Sequence, residues 1–319
     1  MLRAFFIALS KLKWAQRFIT KSKLVSRMAL RFVAGETLES AVAVVKDLNS
    51  QGMLATMDYL GEDTLSILDA DNAVTEILNA LDGIEQMELR SNVSLKLSQI
   101  GLGIQVDLCK ENLKRILQKA KTCRNFVRID MEDSSLTDLT LEVFRWAKQE
   151  GFDNVGIVVQ SYLYRTAEDI QNLAKINATF RLCKGAYQEP ARVAFPNKTD
   201  VDKNYDDLVN ILFNQVKAAE FPKLSTDGRF PGIPALATHD EKRIENAIQL
   251  IQEMDIPPTC LEFQMLYGIR RELQKSLSEK GYPVRVYVPY GTHWYRYFMR
   301  RLAERPANLW FMISNFFKK

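Results

Sequence analysis

Residues 284–308, VRVYVPYGTHWYRYFMRRLAERPAN, decide how the rest of the chain is read. Val284 to Val288 is a β-branched run, Pro289-Tyr290-Gly291 punctuates it, and a helical pattern opens after Thr292. The segment therefore parses as strand, tight loop and helix. On that helix Tyr297, Arg300, Arg301 and Glu304 fall at i, i+3, i+4 and i+7, so one polar stripe carries a ring, two guanidiniums and a carboxylate. Phe298 and Leu302 form an apolar stripe beside it. Adjacent arginines with a single helical acid nearby suit a bidentate grip on a carboxylate or phosphate. Taken alone, the stripe reads first as a solvated helix face whose Arg300–Glu304 pair contributes about 0.3 kcal/mol.

Working back from this segment, apolar and β-branched runs recur at 53–59, 92–98, 125–131, 154–160, 178–183, 234–238, 260–266 and 284–288. Amphipathic stretches such as 107–121, 135–149, 203–219 and 240–254 separate them. A strand–helix alternation repeated eight times predicts an α/β protein, a closed (β/α)8 TIM-type barrel with an N-terminal helical arm. The expected division is a basic helical arm over 1–50 and a catalytic barrel over 51–319. No internal repeat or low-complexity linker interrupts it, and the Pro/Gly-rich stretch 221–234 reads as a connection within one domain.

In such barrels chemistry gathers at the carboxyl ends of the strands. Lys96 ends the second run, Asp130 the third, Gln160 the fourth, Arg181 and Lys184 the fifth and His239 the sixth, while Gln264 lies in the seventh and Tyr287 in the eighth. Each alone reads as a local structural group. Their recurrence on seven of eight strands points to a site, because a buried parallel strand otherwise stays apolar up to its turn. The GLG at 101–103 lacks the third glycine of a dinucleotide fingerprint. Lys184-Gly185-Ala186 offers close backbone approach and a charge for a pyrophosphate, although its spacing fits a simple turn equally.

The 319 residues carry 43 Lys and Arg against 39 Asp and Glu, and eight of the basic residues with no acid lie in residues 1–34. That segment suits an anionic membrane surface or a helical cap with solvated lysines. No nucleic-acid motif accompanies it. Cys109, Cys123, Cys183 and Cys260 lack CxxC spacing, and with His239 and His293 the only histidines, no metal centre or disulfide framework is expected. No apolar run is long enough to span a bilayer, and no signal-peptide cleavage site is evident. Together these features place the chain in the cytoplasm, with the inner face of the cytoplasmic membrane as the surface it would meet.

VYVPYG, then a tyrosine, then RRLAERPAN resembles the C-terminal signature of the proline dehydrogenase family, and RLCKGAY at 181–187 resembles that family's other hallmark. The similarity runs from about residue 50 to about 308, in the manner of the short monofunctional members. It implies an FAD-dependent oxidation of L-proline to 1-pyrroline-5-carboxylate, the first step of proline catabolism, with electrons passed to membrane quinone. Carried over residue by residue, Arg300 and Arg301 would bind the substrate carboxylate with Lys96, Glu304 would orient them, Tyr287 and Tyr297 would wall the proline ring, and Tyr187 fits the tyrosine of the KGAY block. Asp130 and Arg181 would be the catalytic pair, Arg181 lying beside the flavin N5 that receives hydride from proline C5. Met131, Gln160, Arg181, Lys184, Gly185, Ala186, Thr238, His239 and Gln264 would contact the flavin. The basic arm and the aromatic tail 308–319 would be the candidates for a peripheral membrane contact. Alternatives are a class I aldolase using Lys96 or Lys184 as its Schiff-base lysine, a 4-hydroxyproline dehydrogenase, and a non-enzymatic adaptor built on the arm.

Overall fold

The structure, a computed structural model, describes residues 29–61, 64–218 and 224–304, the side chain of Glu304 excepted. Most of the basic arm, the tail 308–319 and the carboxylate expected of Glu304 lie outside the described residues. A strand buried on both faces favours a continuous apolar run, and the runs become strands on that basis. They are β1 (Leu54–Tyr59), β2 (Ser91–Leu95), β3 (Val127–Ile129), β4 (Val155–Gln160), β5 (Phe180–Cys183), β6 (Ala235–Ala237), β7 (Glu262–Leu266) and β8 (Val284–Tyr290). All pair in parallel in chain order, and β8 returns to β1 to close the barrel.

Helix α1 (Leu38–Ser50) precedes β1, its first turn closed by a capping box between Thr37 and Ser40. One main helix then follows each strand: α2 (Ile67–Gln86), α3 (Val106–Thr122), α4 (Thr137–Gln149), α5 (Thr166–Ala174), α6 (Lys198–Ala218), α7 (Glu241–Glu253), α8 (Arg271–Glu279) and α9 (Trp294–Glu304). The apolar stripes of α1 to α8 pack on the outer strand faces in one core running around the barrel. Ala29, Phe32 and Val33 pack separately, against Trp294, Phe298 and Leu302 of α9 and against Leu60. No helix among the described residues is long and apolar enough to cross a membrane.

The turn expected at 289–291 is displaced. Pro289 and Tyr290 belong to β8, opposite Asp58 and Tyr59 of β1. Proline brings no N–H, yet its carbonyl accepts the Ala34 N–H at 2.8 Å and the Tyr290 carbonyl accepts that of Leu60 at 2.8 Å. The last two residues thus stay bonded through their acceptors. The stretch after 223 tucks beneath the amino ends of the strands: the Gly228 carbonyl accepts Arg285 Nη2 at 2.8 Å and the Arg229 carbonyl accepts Asn92 Nδ2 at 3.0 Å.

Candidate active site

At the opposite, carboxyl ends of the strands opens a cavity of about 490 Å³. Its wall contains Lys96, Asp130, Met131, Gln160, Arg181 and the Lys184–Ala186 loop, then Thr238, His239, Gln264 and Tyr287, with Tyr297, Arg300 and Arg301 supplied by α9. Every residue singled out from the sequence for the site therefore lies on this one wall, apart from Glu304, whose side chain is outside the described residues. The wall carries six cationic side chains (Lys96, Arg181, Lys184, Lys198, Arg300, Arg301) and two acidic ones (Asp130, Asp240), a surplus that favours an anionic guest.

Asp130 is the hub of the floor. Its Oδ1 accepts Arg181 Nη1 at 2.7 Å and Ser94 Oγ at 3.2 Å, and its Oδ2 accepts the Tyr287 hydroxyl at 2.7 Å. Lys96 Nζ lies 3.9 Å from Asp130 and 3.3 Å from Asp58, a fully buried aspartate on β1. Burial of charge this deep is tolerable because each carboxylate faces a cation, and Asp130 has further donors in Ser94 and Tyr287. Burial, reinforced by the Asp130 charge, holds the Tyr287 phenol well above its ordinary pKa, so the ring stays neutral and donates. The Arg181 guanidinium lies 5.5 Å from the centre of that ring.

Helix α9 forms the roof. The guanidinium of Arg301 lies 5.1 Å from the Tyr297 ring, one turn back on the same face, and that of Arg300 lies 6.0 Å from the ring of Tyr187. Tyr297 is buried, while Arg300 and Arg301 are half-buried. The stripe is thus packed over the cavity and is not a free solvated face.

On the side wall Lys184 Nζ bridges Asp202 at 2.5 Å and Asp240 at 2.6 Å, and Lys198 joins the same two carboxylates. Burial raises the pKa of both aspartates, but the bonds from the lysines outweigh it and leave each below its ordinary value. Gly185 adopts φ +108°, and a Cβ there would lie 2.4 Å from the Tyr162 ring, so only glycine carries the chain over that ring. His239 Nε2 accepts the Leu266 N–H at 2.9 Å, which leaves that nitrogen unprotonated.

Three buried polar atoms in the wall have no hydrogen-bond partner among the described residues: Gln160 Oε1, Gln264 Oε1 and Arg181 Nε. Such atoms are costly unless a guest satisfies them, and a polar heterocycle of flavin type, offering both donors and acceptors, fits them. Asp58, Ser94, Lys198, Asp202 and Asp240 escaped the sequence reading. Asp58 was the most visible, as the one acid within the apolar run of β1; Ser94 and Asp240 gain meaning only through partners far away in the chain, and the Lys198–Asp202 pair only through Lys184 and Asp240.

A parallel eight-stranded barrel with a charged cavity at its carboxyl mouth defines an enzyme of the (β/α)8 class. Residues 41–314 match the family model described as Proline dehydrogenase. The chain is 44% identical over 319 residues, all of both chains, to Proline dehydrogenase 1 of Bacillus subtilis. It is 41% identical over 295 residues to Proline dehydrogenase of Deinococcus radiodurans, covering 91% of this chain and 90% of that one. Among solved structures, proline utilization A from Bdellovibrio bacteriovorus, inactivated by N-propargylglycine, superposes with a TM-score of 0.78 at 28% identity over 88% of this chain, which spans 33% of that longer polypeptide. This chain belongs to the proline dehydrogenase family and is an oxidoreductase of that kind.

Proposed function

We propose that the chain oxidises L-proline to 1-pyrroline-5-carboxylate, with FAD as its cofactor and membrane quinone as the eventual electron acceptor. The observation that carries this reading is the division of one cavity into two chemically distinct surfaces. The floor and side wall hold the orphan amide and guanidinium atoms that suit a flavin, and the roof holds an arginine pair that suits a carboxylate. Arg300 and Arg301 grip the proline carboxylate, and Lys96 adds a third cation held between Asp58 and Asp130. Gripping one end fixes where the ring carbon lies, so the entropy of alignment is met on binding. Tyr287 and Tyr297 cover the apolar ring. Arg181, braced by Asp130, holds positive charge against the cofactor alongside Gln160, Gln264, Thr238, His239, Met131 and the Lys184–Ala186 loop. When bound, the flavin supplies the acceptor for the hydride leaving proline C5.

The experiment is the visible spectrum of the purified chain under anaerobic conditions before and after L-proline is added. A flavin band that bleaches on addition is the expected result. A flavin band that stays unchanged sinks the substrate. A colourless protein that borohydride links to a carbonyl substrate would support the aldolase.

A further inference from the structure

The strand registers place Gln160 of β4 beside Cys183 of β5, Cys183 beside Ala237 of β6, and Ala237 beside Gln264 of β7. All four face the cavity. Two small side chains between two glutamines leave a slot roughly three strand spacings wide, about 14 Å, enough for a flat ring system lying along the wall. Both glutamines turn the amide nitrogen away from the slot. Gln160 Nε2 donates to the Glu132 carbonyl at 3.2 Å, and Gln264 Nε2 donates to Oε1 of Glu262, two residues earlier on the same face of β7. Each amide oxygen is thereby left buried in the wall, without a partner among the described residues.

For Gln264 this orientation is compelled. A carboxylate accepts and cannot donate, so the flipped amide would set oxygen against oxygen. Glu262 is itself immobile: Arg285 donates to it through Nε at 2.8 Å and Nη2 at 3.1 Å, the Gly232 N–H donates at 3.2 Å, and both charged side chains are fully buried. The remaining Arg285 contacts end on the carbonyls of Ala55 at 2.7 Å and Gly228 at 2.8 Å. We propose that Glu262, clamped by Arg285, is a positioning residue that locks the Gln264 amide as an acceptor for the ring N–H of the flavin. The assignment rests on the flavin reading above. The isoalloxazine carries a single ring N–H, at N3, flanked by two carbonyls. A buried acceptor with a fixed direction selects a guest that brings a donor there and penalises one that does not.

The test compares FAD with FAD methylated at N3, each titrated into the full-length chain after its flavin has been stripped. The wild type should hold FAD about tenfold more tightly, the scale of one buried hydrogen bond. Gln264→Leu should level the two affinities. Glu262→Gln should narrow the gap by freeing the amide to turn, and the double variant Glu262→Met/Arg285→Met should do the same. The double variant removes both buried charges together and keeps the core filled, so it serves if the single variant does not fold. A change in this ratio is something that general destabilisation does not produce. A wild type that takes up both flavins equally overturns the acceptor assignment, and a double variant that keeps the wild-type preference overturns the role of Glu262. A wild type that is purified with no flavin to strip, and binds none when it is added, overturns the flavin reading and this inference with it.

Discussion

Arg285 and Arg181 are both buried inside one barrel, and their hydrogen bonds end in opposite ways. Near the amino ends of the strands, Arg285 engages Nε, Nη1 and Nη2 with Glu262 and two backbone carbonyls. Near the cavity, Arg181 donates through Nη1 to Asp130 and Ser94, and its Nε has no partner among the described residues. A charge network whose donors all close on the protein carries the fold, whereas one that leaves a donor facing a cavity is built around a guest. Residue type and burial are the same in the two cases; only the accounting of hydrogen bonds separates them.

The sharpest way to break this contrast is to cut each network at its arginine. Arg285→Met leaves Glu262 buried without its ion-pair partner and should cost about 3–5 kcal/mol of stability in urea unfolding. Arg181→Met should cost clearly less, because Asp130 keeps Tyr287, Ser94 and Lys96, yet it should abolish proline turnover. Equal destabilisation by the two changes would show that the upper network is structural as well.

A smaller effect is expected at the roof. Arg301→Met should weaken proline binding by about 2–5 kcal/mol, an increase in half-saturation of at least roughly 30-fold, while flavin content is unchanged. If both Arg300→Met and Arg301→Met shift it by less than about tenfold, the stripe does not grip the carboxylate.

The smallest effect separates two rings. Tyr297→Ser removes the surface on which Arg301 stacks and, on the proposed reading, cover from the proline ring, so catalytic efficiency with proline should fall roughly 10- to 200-fold, with a smaller loss for 4-hydroxyproline. The Tyr287 hydroxyl is bound to Asp130, so Tyr287→Ser also disturbs the floor network and should lower turnover with both substrates alike. Efficiencies measured with both substrates in both variants decide it: an unchanged ratio in Tyr297→Ser removes that ring from the substrate wall.

The barrel was legible because a strand covered on both faces favours apolar and β-branched residues, and eight such runs stood out between helical patterns. The polar residues closing those runs were legible for the same reason, as departures from it. Asp58 is a departure of the same kind inside the β1 run, but its role was not legible, since its partner Lys96 lies 38 residues away. The end of β8 was misplaced because Pro289 normally stops a strand, and nothing local discloses that Ala34 and Leu60 bond to the carbonyls there. The amide direction of Gln160 was invisible, because its acceptor is a carbonyl 28 residues away, whereas that of Gln264 depends on Glu262 two residues earlier in the same strand and could have been sought in the sequence.

The seam between β1 and β8 joins six residue pairs, from Leu54 and Arg285 to Tyr59 and Tyr290, and the Arg285 bond that crosses it to the Ala55 carbonyl spans 230 positions of the chain. A ribosome adding roughly 5–20 residues per second takes on the order of 10–50 s to cover that distance. Throughout that interval the first strand has an open edge, and Asp58 waits without the wall that β8 provides. The cavity therefore comes into being only when translation of the barrel is nearly over, and until then the edge of β1 is open to pairing with a strand of another chain.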